Sequence, residues 1–294
     1  MSGEIDNLER EFEEIFGESL RNSSVEEPET EEENNETVQE PLVEDEENSI
    51  IEDDFEPSNN DEQFTRFKGL PWFDFIDNSL IIGGAGGIGS YLALFLARAG
   101  FTISIYDFDM VEKVNLSGQF FKNSNIGEYK TTAVYHNVKE FSPSSVIYTI
   151  TKRIDSNTKI LGPYFFSAFD NMEARKNFFN VWKRNVQDYE LSNENSTIKN
   201  VPIFIDGRLE SEQLQIFCVT KERIKEYEEK YLFDDSEVED VTCTMKQTSH
   251  VAAMIASFMT VMFTNHVTNI RYKEYVRDVP FKFEVFTPLN LISR

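Results

Sequence analysis

The sequence predicts an α/β fold with a doubly wound, mostly parallel sheet over residues 64–294. Three observations predict it. An apolar run at 80–82 leads into a glycine-rich turn and a helix, short apolar strands then alternate with helical segments, and polar side chains follow several of the strands. Alternating strands and helices indicate a parallel sheet covered on both faces, and the C-terminal ends of its strands border a ligand crevice.

The glycine-rich turn and the segments after it indicate a nucleotide site. The spaced glycines of the turn are Gly84, Gly86, Gly87 and Gly89. An apolar helix over 91–99 follows, and an alternating strand over 101–106 ends at Asp107, 18 residues after Gly89. Glycines let a backbone approach phosphate oxygens, a helix N-terminus attracts them, and the acid accepts hydrogen bonds from ribose hydroxyls. This Rossmann-like pattern has one alternative, a turn that only packs a strand against a helix.

Polar residues also follow two later apolar strands, over 164–169 and 201–205. They are Asp170 and Asn171 after the first strand, and Asp206 and Arg208 after the second. One residue of the first pair is expected to cap the next helix. We expect all of them to gather with Asp107 at one edge of the sheet.

The formal net charge of −25 is carried mainly by residues 1–63, which hold 25 Asp and Glu against 2 Lys and Arg. Such a stretch buries too little apolar surface to become ordered, so we expect a disordered acidic tail, either simply solvated or bound to a basic partner. Within it, residues 4–20 repeat apolar side chains at three- and four-residue spacing, which is typical of an amphipathic helix. That helix either docks in a groove of a protein partner, or it forms only transiently or packs on its own domain.

Other patterns argue against whole classes of function. The nearly neutral remainder has no basic stripe, so nucleic acid binding is not expected. The most apolar segment, Val251–Val267, contains polar residues and is predicted to be a buried helix, so membrane binding is not expected either. Cys218, predicted to lie in the core, and Cys243 form no Cys-x-x-Cys pair, and the N-terminus has no signal-peptide pattern. We therefore expect a cytoplasmic protein without structural zinc.

Four motifs, taken in order, resemble the ThiF/MoeB/HesA superfamily of adenylating enzymes, which are related to ubiquitin-activating enzymes. The motifs are Gly84-x-Gly-Gly-x-Gly-Ser90, Asp107-x-Asp-x-Val111 with Asn115-Leu-x-x-Gln119, Gly127-x-x-Lys130, and Asp170-Asn-x-x-x-Arg175. The resemblance covers residues 64–294. The sequence around Asn115 and Cys243 is similar to that of a divergent branch of this superfamily, which is associated with phages and mobile elements.

The resemblance implies an ATP-dependent adenylyltransferase, and a homodimer. In the family, the C-terminal carboxylate of a ubiquitin-like protein or peptide attacks the α-phosphate of ATP bound with Mg²⁺, which gives an acyl-adenylate and pyrophosphate. The cofactor-binding residues implied by position are Gly84, Gly86, Gly87, Gly89, Asp107, Asp109, Asn115, Gln119, Lys130 and Asp170. Among them, Asp107 is implied to hold the ribose hydroxyls. Asn115 and Lys130 are implied to contact the phosphates, and Asp170 to bind the Mg²⁺.

One position departs from the family. The family usually has an arginine, in the motif Asn-Leu-x-Arg-Gln, that reaches the phosphates, and here that position is Gly118. By analogy with arginine fingers, its loss is expected to cost on the order of 10³-fold or more in rate unless another cation replaces it. Arg208 is the preferred replacement because it follows a strand end, and its alternative role is an ion pair with Asp206 or Glu210. The other candidates are Arg175 and Lys246.

Two further catalytic candidates have ordinary alternatives. Cys243 precedes a lysine and a predicted helix start, which suit a thioester-forming nucleophile, but a lone cysteine beside a buried helix is also typical of core packing. Lys130 is either a phosphate ligand or a surface lysine at a helix start. The whole pattern favours the adenylyltransferase over two rivals, a nucleotide-binding scaffold that has lost activity and an NAD-dependent oxidoreductase.

Overall fold

The computed structural model describes residues 50–51, 62–73, 79–192, 201–210, 212–233, 248–273, 276–289 and 291–294. Four predictions concern residues outside these ranges. They are the disordered acidic tail, apart from residues 50–51 and 62–63, the amphipathic helix over 4–20, Cys243 as a nucleophile and Lys246 as a replacement for the missing arginine. All four stay predictions.

The strands of the described residues form one sheet, and the five strands at its centre are parallel. The strands are β1 (Ile50–Ile51), β2 (Leu80–Gly83), β3 (Ile103–Tyr106), β4 (Ile147–Ile150), β5 (Tyr164–Ser167), β6 (Ile203–Glu210), β7 (Gln213–Val219), β8 (Lys282–Phe286) and β9 (Leu291–Ser293). Their order across the sheet is β1-β4-β3-β2-β5-β6-β7-β8-β9. The predicted α/β fold is confirmed, and antiparallel strands extend the parallel centre at both edges.

Helices cover both faces of this sheet. They are α1 (Gly87–Arg98), α2 (Lys130–Phe141), α3 (Met172–Ser192), α4 (Ile224–Tyr231) and α5 (Ser249–Arg271). Leu80 and Ile82 of β2 belong to an apolar cluster shared with α1, α2 and α5, whereas Ile81 belongs to a second cluster shared with α3 and α4. Because successive side chains of a strand point to opposite faces, this division confirms a sheet buried on both sides.

Two apolar features lie in the core, as predicted. α5 is long and apolar enough to cross a membrane, but its Phe263 ring packs against the rings of Phe101 and Tyr164, at 5.3 and 5.0 Å between centroids. Cys218 is buried in β7, and burial raises the pKa of its thiol to about 12. A thiol with this pKa stays protonated at neutral pH, so Cys218 is a packing residue.

The sheet also takes in two residues of the stretch predicted to be an acidic tail. Ile50 and Ile51 pair antiparallel with β4, with Ile50 opposite Ile150 and Ile51 opposite Thr149. β-branched residues favour extended structure, and β4 would otherwise leave an edge of unpaired backbone groups. These two features explain why a short strand forms within an otherwise acidic segment.

Candidate nucleotide-binding site

Two of the turn glycines are required by the fold itself. Gly84, directly after β2, has a φ of +92°, in the left-handed region that favours glycine. A Cβ added to Gly89 would lie 1.8 Å from the carbonyl oxygen of Gly84, so no side chain fits there unless the turn moves. These two glycines alone are compatible with a turn that only packs.

The protein has room for a side chain at Gly86, so its packing does not account for this glycine. A Cβ added there would have the Gln119 carboxamide as its nearest neighbour, 3.9 Å from Nε2 and 4.0 Å from Oε1. The Oε1 atom of Gln119 is buried and has no hydrogen-bond partner in the described part of the chain. The N-cap of α1 is Gly86 itself, and because a glycine has no side chain to accept the first N–H groups of the helix, these groups are available to an anion. Together these features fit a bound ligand better than a turn that only packs.

Asp107 links the end of β3 to the glycine turn. Its Oδ2 accepts a hydrogen bond from Ala85 N at 2.6 Å, and its Oδ1 accepts one from Asp109 N at 2.8 Å. Burial raises the pKa of this carboxyl above its ordinary value of 3.8, although Lys130 and the two backbone donors act in the opposite direction. A carboxylate has about four acceptor sites, so two remain for a ribose diol. The geometry suits the role that the family resemblance implies.

Lys130 begins α2 and is largely buried beside the acids that follow β3. Its Nζ lies 2.7 Å from Asp109 Oδ2, and its side chain is 11% exposed against 49% for Asp109. Its backbone N also donates to Asp109 O at 2.8 Å. Lys130 is therefore not an ordinary surface lysine. An ammonium has three donors, so it can bind a phosphate oxygen while it keeps its contact with Asp109.

The loop from β3 to α2 contains a 3-10 helix over Lys113–Ser117. Asn115 Oδ1 accepts a hydrogen bond from Glu112 N at 2.8 Å, so this side chain caps the 3-10 helix. Farther on, Phe120 N donates to Ser90 Oγ at 3.0 Å, which fixes the loop against the first turn of α1. The contact between Asn115 and a phosphate stays a prediction.

Asp170 lies on the other side of the glycine turn from Asp107. β5 is the parallel neighbour of β2, and a Cβ added to Gly84 would lie 2.8 Å from the carbonyl oxygen of Ala168, just after β5. Asp170 follows two residues later and is exposed, with its Oδ1 3.2 Å from Asn171 Nδ2. Asn171 is the residue that caps α3, because its Oδ1 accepts a hydrogen bond from Ala174 N at 2.8 Å.

The chemistry of Asp170 fits Mg²⁺ bound together with phosphates. Mg²⁺ usually takes one or two carboxylates, substrate phosphates and water rather than a cage made of protein groups. In the ranges that the structure describes, no cluster of three or more His, Cys, Asp or Glu residues could hold a metal ion. A single exposed carboxylate beside a phosphate-type turn is compatible with Mg²⁺ that takes its other ligands from phosphates and water.

Asp206 lies level with the end of β5, opposite Ser167, but its side chain does not open into the crevice, as it was expected to do together with those of Asp107 and Asp170, so that part of the expectation is wrong. β6 continues to Glu210 because it pairs with antiparallel β7, and Asp206 therefore lies within the strand with a fully buried side chain. Burial alone would raise the pKa of Asp206, but the attraction of Arg175 and Arg208 outweighs it and lowers the pKa below 3.8. Asp206 is the centre of a buried ionic network.

Arg208 takes part in that network rather than in the open site. Its Nε donates to Asp206 Oδ2 at 2.8 Å, and its Nη2 donates to Tyr231 O at 2.7 Å. Its guanidinium also lies 4.7 Å from the centroid of the Phe217 ring. These contacts match the alternative role of Arg208, a structural ion pair with Asp206. Arg175 is paired with Asp206 as well. Both arginines proposed to replace the one missing at position 118, among the described residues, are therefore already in ion pairs.

The sequence analysis missed a cleft of about 480 Å³ next to β3 and β4. Its lining residues are Tyr106, Ile150, Lys152, Asp155, Asn157, Thr158 and Lys159. One lining residue, Tyr106, directly precedes Asp107 in the chain. The lining loop is stabilised by Asp155, whose Oδ1 accepts hydrogen bonds from Thr158 Oγ1 at 2.7 Å and Asn157 N at 2.9 Å. The turn residues at 155–158 were the only sequence signal for this loop.

The fold and the site define a doubly wound α/β protein whose glycine turn lies between two acidic strand ends. The chain belongs to the ThiF family, whose family model matches residues 75–283. Members of this family are adenylyltransferases similar to ubiquitin-activating enzymes, and they use ATP.

Individual relatives match over limited parts of their length. Ubiquitin-like modifier-activating enzyme 5 of Arabidopsis thaliana is 31% identical over 123 residues, which cover 39% of this chain and 27% of the relative. Its counterpart in Dictyostelium discoideum is 38% identical over 114 residues, which cover 33% and 30%. The chain thus matches less than a third of the length of these relatives.

Solved structures with low sequence identity share the fold. E. coli MccB with ATP superposes with a TM-score of 0.56 at 14% identity and covers 81% of this chain and 72% of its own. PaaA gives a TM-score of 0.55 at 14% identity, with coverages of 79% and 81%. At this identity the likeness concerns the fold alone.

Proposed function

We propose that this protein is an ATP-dependent adenylyltransferase that activates the C-terminal carboxylate of a ubiquitin-like or other small protein or peptide. One observation carries the proposal: two acidic groups flank an open glycine turn. Asp107 is anchored on one side by backbone donors, and Asp170 is exposed on the other. A nucleotide with its ribose at Asp107 and its phosphates next to Gly86 then extends toward Asp170.

Different residues around the glycine turn bind different parts of the nucleotide. Asp107 binds the ribose hydroxyls, and the N–H groups at the start of α1 bind phosphate oxygens together with Lys130. Asp170 holds Mg²⁺, which supplies charge neutralisation on the phosphates. Without a cation, Asp170 would repel them, so its location is favourable only for a metal-bound triphosphate.

The reaction needs no proton transfer by the protein. A carboxylate oxygen of the acyl donor forms a bond to the α-phosphorus of ATP, and the bond from that phosphorus to the bridging oxygen breaks. Pyrophosphate leaves with the electron pair of the broken bond. Negative charge increases on the phosphoryl oxygens and on the leaving group, so N–H donors and the Lys130 ammonium act by being in place beforehand.

We assign the base of the nucleotide to the cleft beside β3 and β4. Tyr106 and Ile150, at the C-terminal ends of these strands, line it, and Asp107 follows Tyr106 in the chain. In a doubly wound sheet, nucleotides lie across the strand ends. A volume of about 480 Å³ is within the usual range for a small-molecule site.

We further propose that the acyl donor is a protein or peptide. Among the similar proteins, the plant relative is named for activating a ubiquitin-like modifier, and E. coli MccB was crystallised with MccA. In this chain, the loop between β3 and α2 exposes large apolar side chains beside the site. They are Phe108, Met110, Val114 and Ile126. Grouped apolar exposure is typical of protein contacts, which supports a macromolecular donor. The homodimer implied by the family resemblance remains part of this proposal.

A nucleotide-binding scaffold of the same fold is the second candidate. It is favoured because the arginines that could replace the missing family arginine are already held in ion pairs. Position 118 is glycine, and both Arg175 and Arg208 are paired with Asp206. If no other residue replaces the family arginine, adenylation is slowed by about 10³-fold. Binding without turnover would identify the scaffold.

The experiment has a binding arm and a chemical arm. We expect Mg·ATP to raise the Tm of the full chain, through binding to the native state alone. Asp107→Ala should abolish this shift, and Asp170→Asn should remove its dependence on Mg²⁺, whereas Glu229→Gln, at an exposed position of α4, should change neither. ATP–pyrophosphate exchange is then measured with MccA and with ubiquitin-like modifiers as acyl donors, and Asp170→Asn should abolish any exchange.

Each outcome has a defined meaning. Exchange that depends on Asp170 supports the enzyme, and a Tm shift without exchange supports the scaffold. A Tm shift with NAD and none with Mg·ATP contradicts both and supports the NAD-dependent oxidoreductase.

A further inference from the structure

A buried ionic network lies behind the loop that carries Asp170, on the sheet face covered by α3 and α4. At its centre, both carboxylate oxygens of Asp206 are used. Oδ1 pairs with Arg175 Nη1, and Oδ2 accepts hydrogen bonds from Arg208 Nε at 2.8 Å and Tyr227 OH at 2.7 Å. The side chain of Asp206 is 0% exposed, so it contacts no bound ligand itself.

Arg175 connects this network to the residue before Asp170. Its Nη1 donates to Asp206 Oδ1 and to Gly207 O, the latter at 3.2 Å. Its Nη2 donates to the carbonyl oxygen of Phe169. One guanidinium therefore joins β6 to the backbone that leaves β5.

Asp170 depends on its chain neighbours for its position. Its own carboxylate is exposed and accepts a hydrogen bond at 3.2 Å from the adjacent Asn171. Phe169 is fixed through its carbonyl by Arg175 and through its ring, which lies 5.5 Å from the ring of Phe178. Asn171 is fixed as the cap of α3. Asp170 is thus an exposed group between two anchored residues.

We infer that Asp206 and Arg175 are positioning residues for Asp170, and through it for the Mg²⁺ of the site. The inference rests on the proposed function. A guanidinium is a rigid planar fork that binds the Asp206 carboxylate and the Phe169 carbonyl at the same time, whereas a lysine carries the same charge on a single point. The Nε of Arg175 is buried and has no acceptor within the described ranges, which costs stability that an apolar residue would not lose. The geometry of the fork, more than its charge, holds Asp170 in place.

The test measures the Mg²⁺ concentration that gives half of the ATP-induced rise in Tm, with the full chain and a fixed ATP concentration. Arg175→Lys keeps the charge and loses the bridge, and we expect it to raise this midpoint at least tenfold. Tyr227→Phe removes a donor to the same carboxylate on the side away from Phe169. We expect it to leave the midpoint within twofold, although both variants lower the Tm without ligand.

A purely structural role predicts a different result. Arg175→Lys would then lower the Tm of the free protein and leave the Mg²⁺ midpoint unchanged, which would overturn the inference. Asp206→Asn, measured in a stabilising osmolyte, is the second variant, and it should also raise the midpoint at least tenfold. If the wild-type protein shows no Mg·ATP effect, the proposed function fails and the inference fails with it. A wild-type effect with an unchanged midpoint in either variant refutes the inference alone.

Discussion

The two acidic sides of the glycine turn are built differently. Asp107 is held directly by two backbone N–H groups from its immediate surroundings, and next to it the pair of Lys130 and Asp109 is partly open to solvent. Asp170 has an exposed side chain, and its backbone is held from behind by the buried network around Asp206. The first side depends on local geometry and the second on tertiary packing. This difference predicts where mutations affect stability and where they affect only the ligand.

The largest expected difference between the two sides is in stability. Asp206→Asn leaves two buried arginines without their counter-charge, and we expect it to lower the free energy of unfolding by about 3–5 kcal/mol. Asp109→Asn breaks a pair with one half-exposed partner, and we expect a loss of about 1 kcal/mol or less. Urea unfolding of both variants at pH 7 measures the two values. Similar losses of unfolding free energy in the two variants would contradict the inference that the buried ion pairs contribute more to stability than the half-exposed pair.

A smaller effect separates two roles within the glycine turn itself. Gly89→Ala places a Cβ 1.8 Å from Gly84 O, and we expect it to lower the free energy of unfolding by about 3 kcal/mol. Gly86→Ala places a Cβ 3.9 Å from Gln119, so we expect a change of about 1 kcal/mol or less together with at least tenfold weaker binding of Mg·ATP. Denaturant unfolding and titration with ATP check the pair. Full ATP affinity in Gly86→Ala would contradict a ligand at this glycine.

The parts of the site that the sequence predicts are those determined by neighbours along the chain. The strand, glycine turn and helix unit and the acid at the end of β3 lie within residues 80–109, and their hydrogen bonds join residues close in sequence or in adjacent parallel strands. Lys130 was found because of its position in a family motif. The structure then adds what no motif contains, its pairing with Asp109.

The parts that the sequence could not predict depend on distant partners. Asp206 follows an apolar run and resembles a strand-end acid, but β7 extends β6 beyond it, and the antiparallel register is not visible in the sequence. The role of Arg208 stayed open for the same reason, since Tyr227 and Tyr231 contact it from α4. The cleft beside β4 is lined by a polar loop without a motif.

The smallest expected effect is on the pH dependence of stability, where the two sides should respond in opposite directions. Burial raises the pKa of Asp107 above 3.8, so the folded protein binds this proton at a pH where the unfolded chain does not. Its contribution to stability therefore grows as the pH falls toward 3.8. For Asp206, burial acts to raise the pKa, but the two arginines lower it overall, so the unfolded chain binds the proton first. That contribution is present above 3.8 and is lost as the pH falls below it.

Urea unfolding between pH 3 and 6 tests this contrast with one asparagine variant for each side. Since an asparagine does not titrate, the difference in unfolding free energy between wild type and variant isolates the carboxyl group. From pH 6 to 4, the wild type should gain stability relative to Asp107→Asn. Below pH 4, it should lose stability relative to Asp206→Asn. If both differences change in the same direction, the arginines do not outweigh the burial of Asp206, and the network cannot be the stable anchor from which Asp170 is positioned.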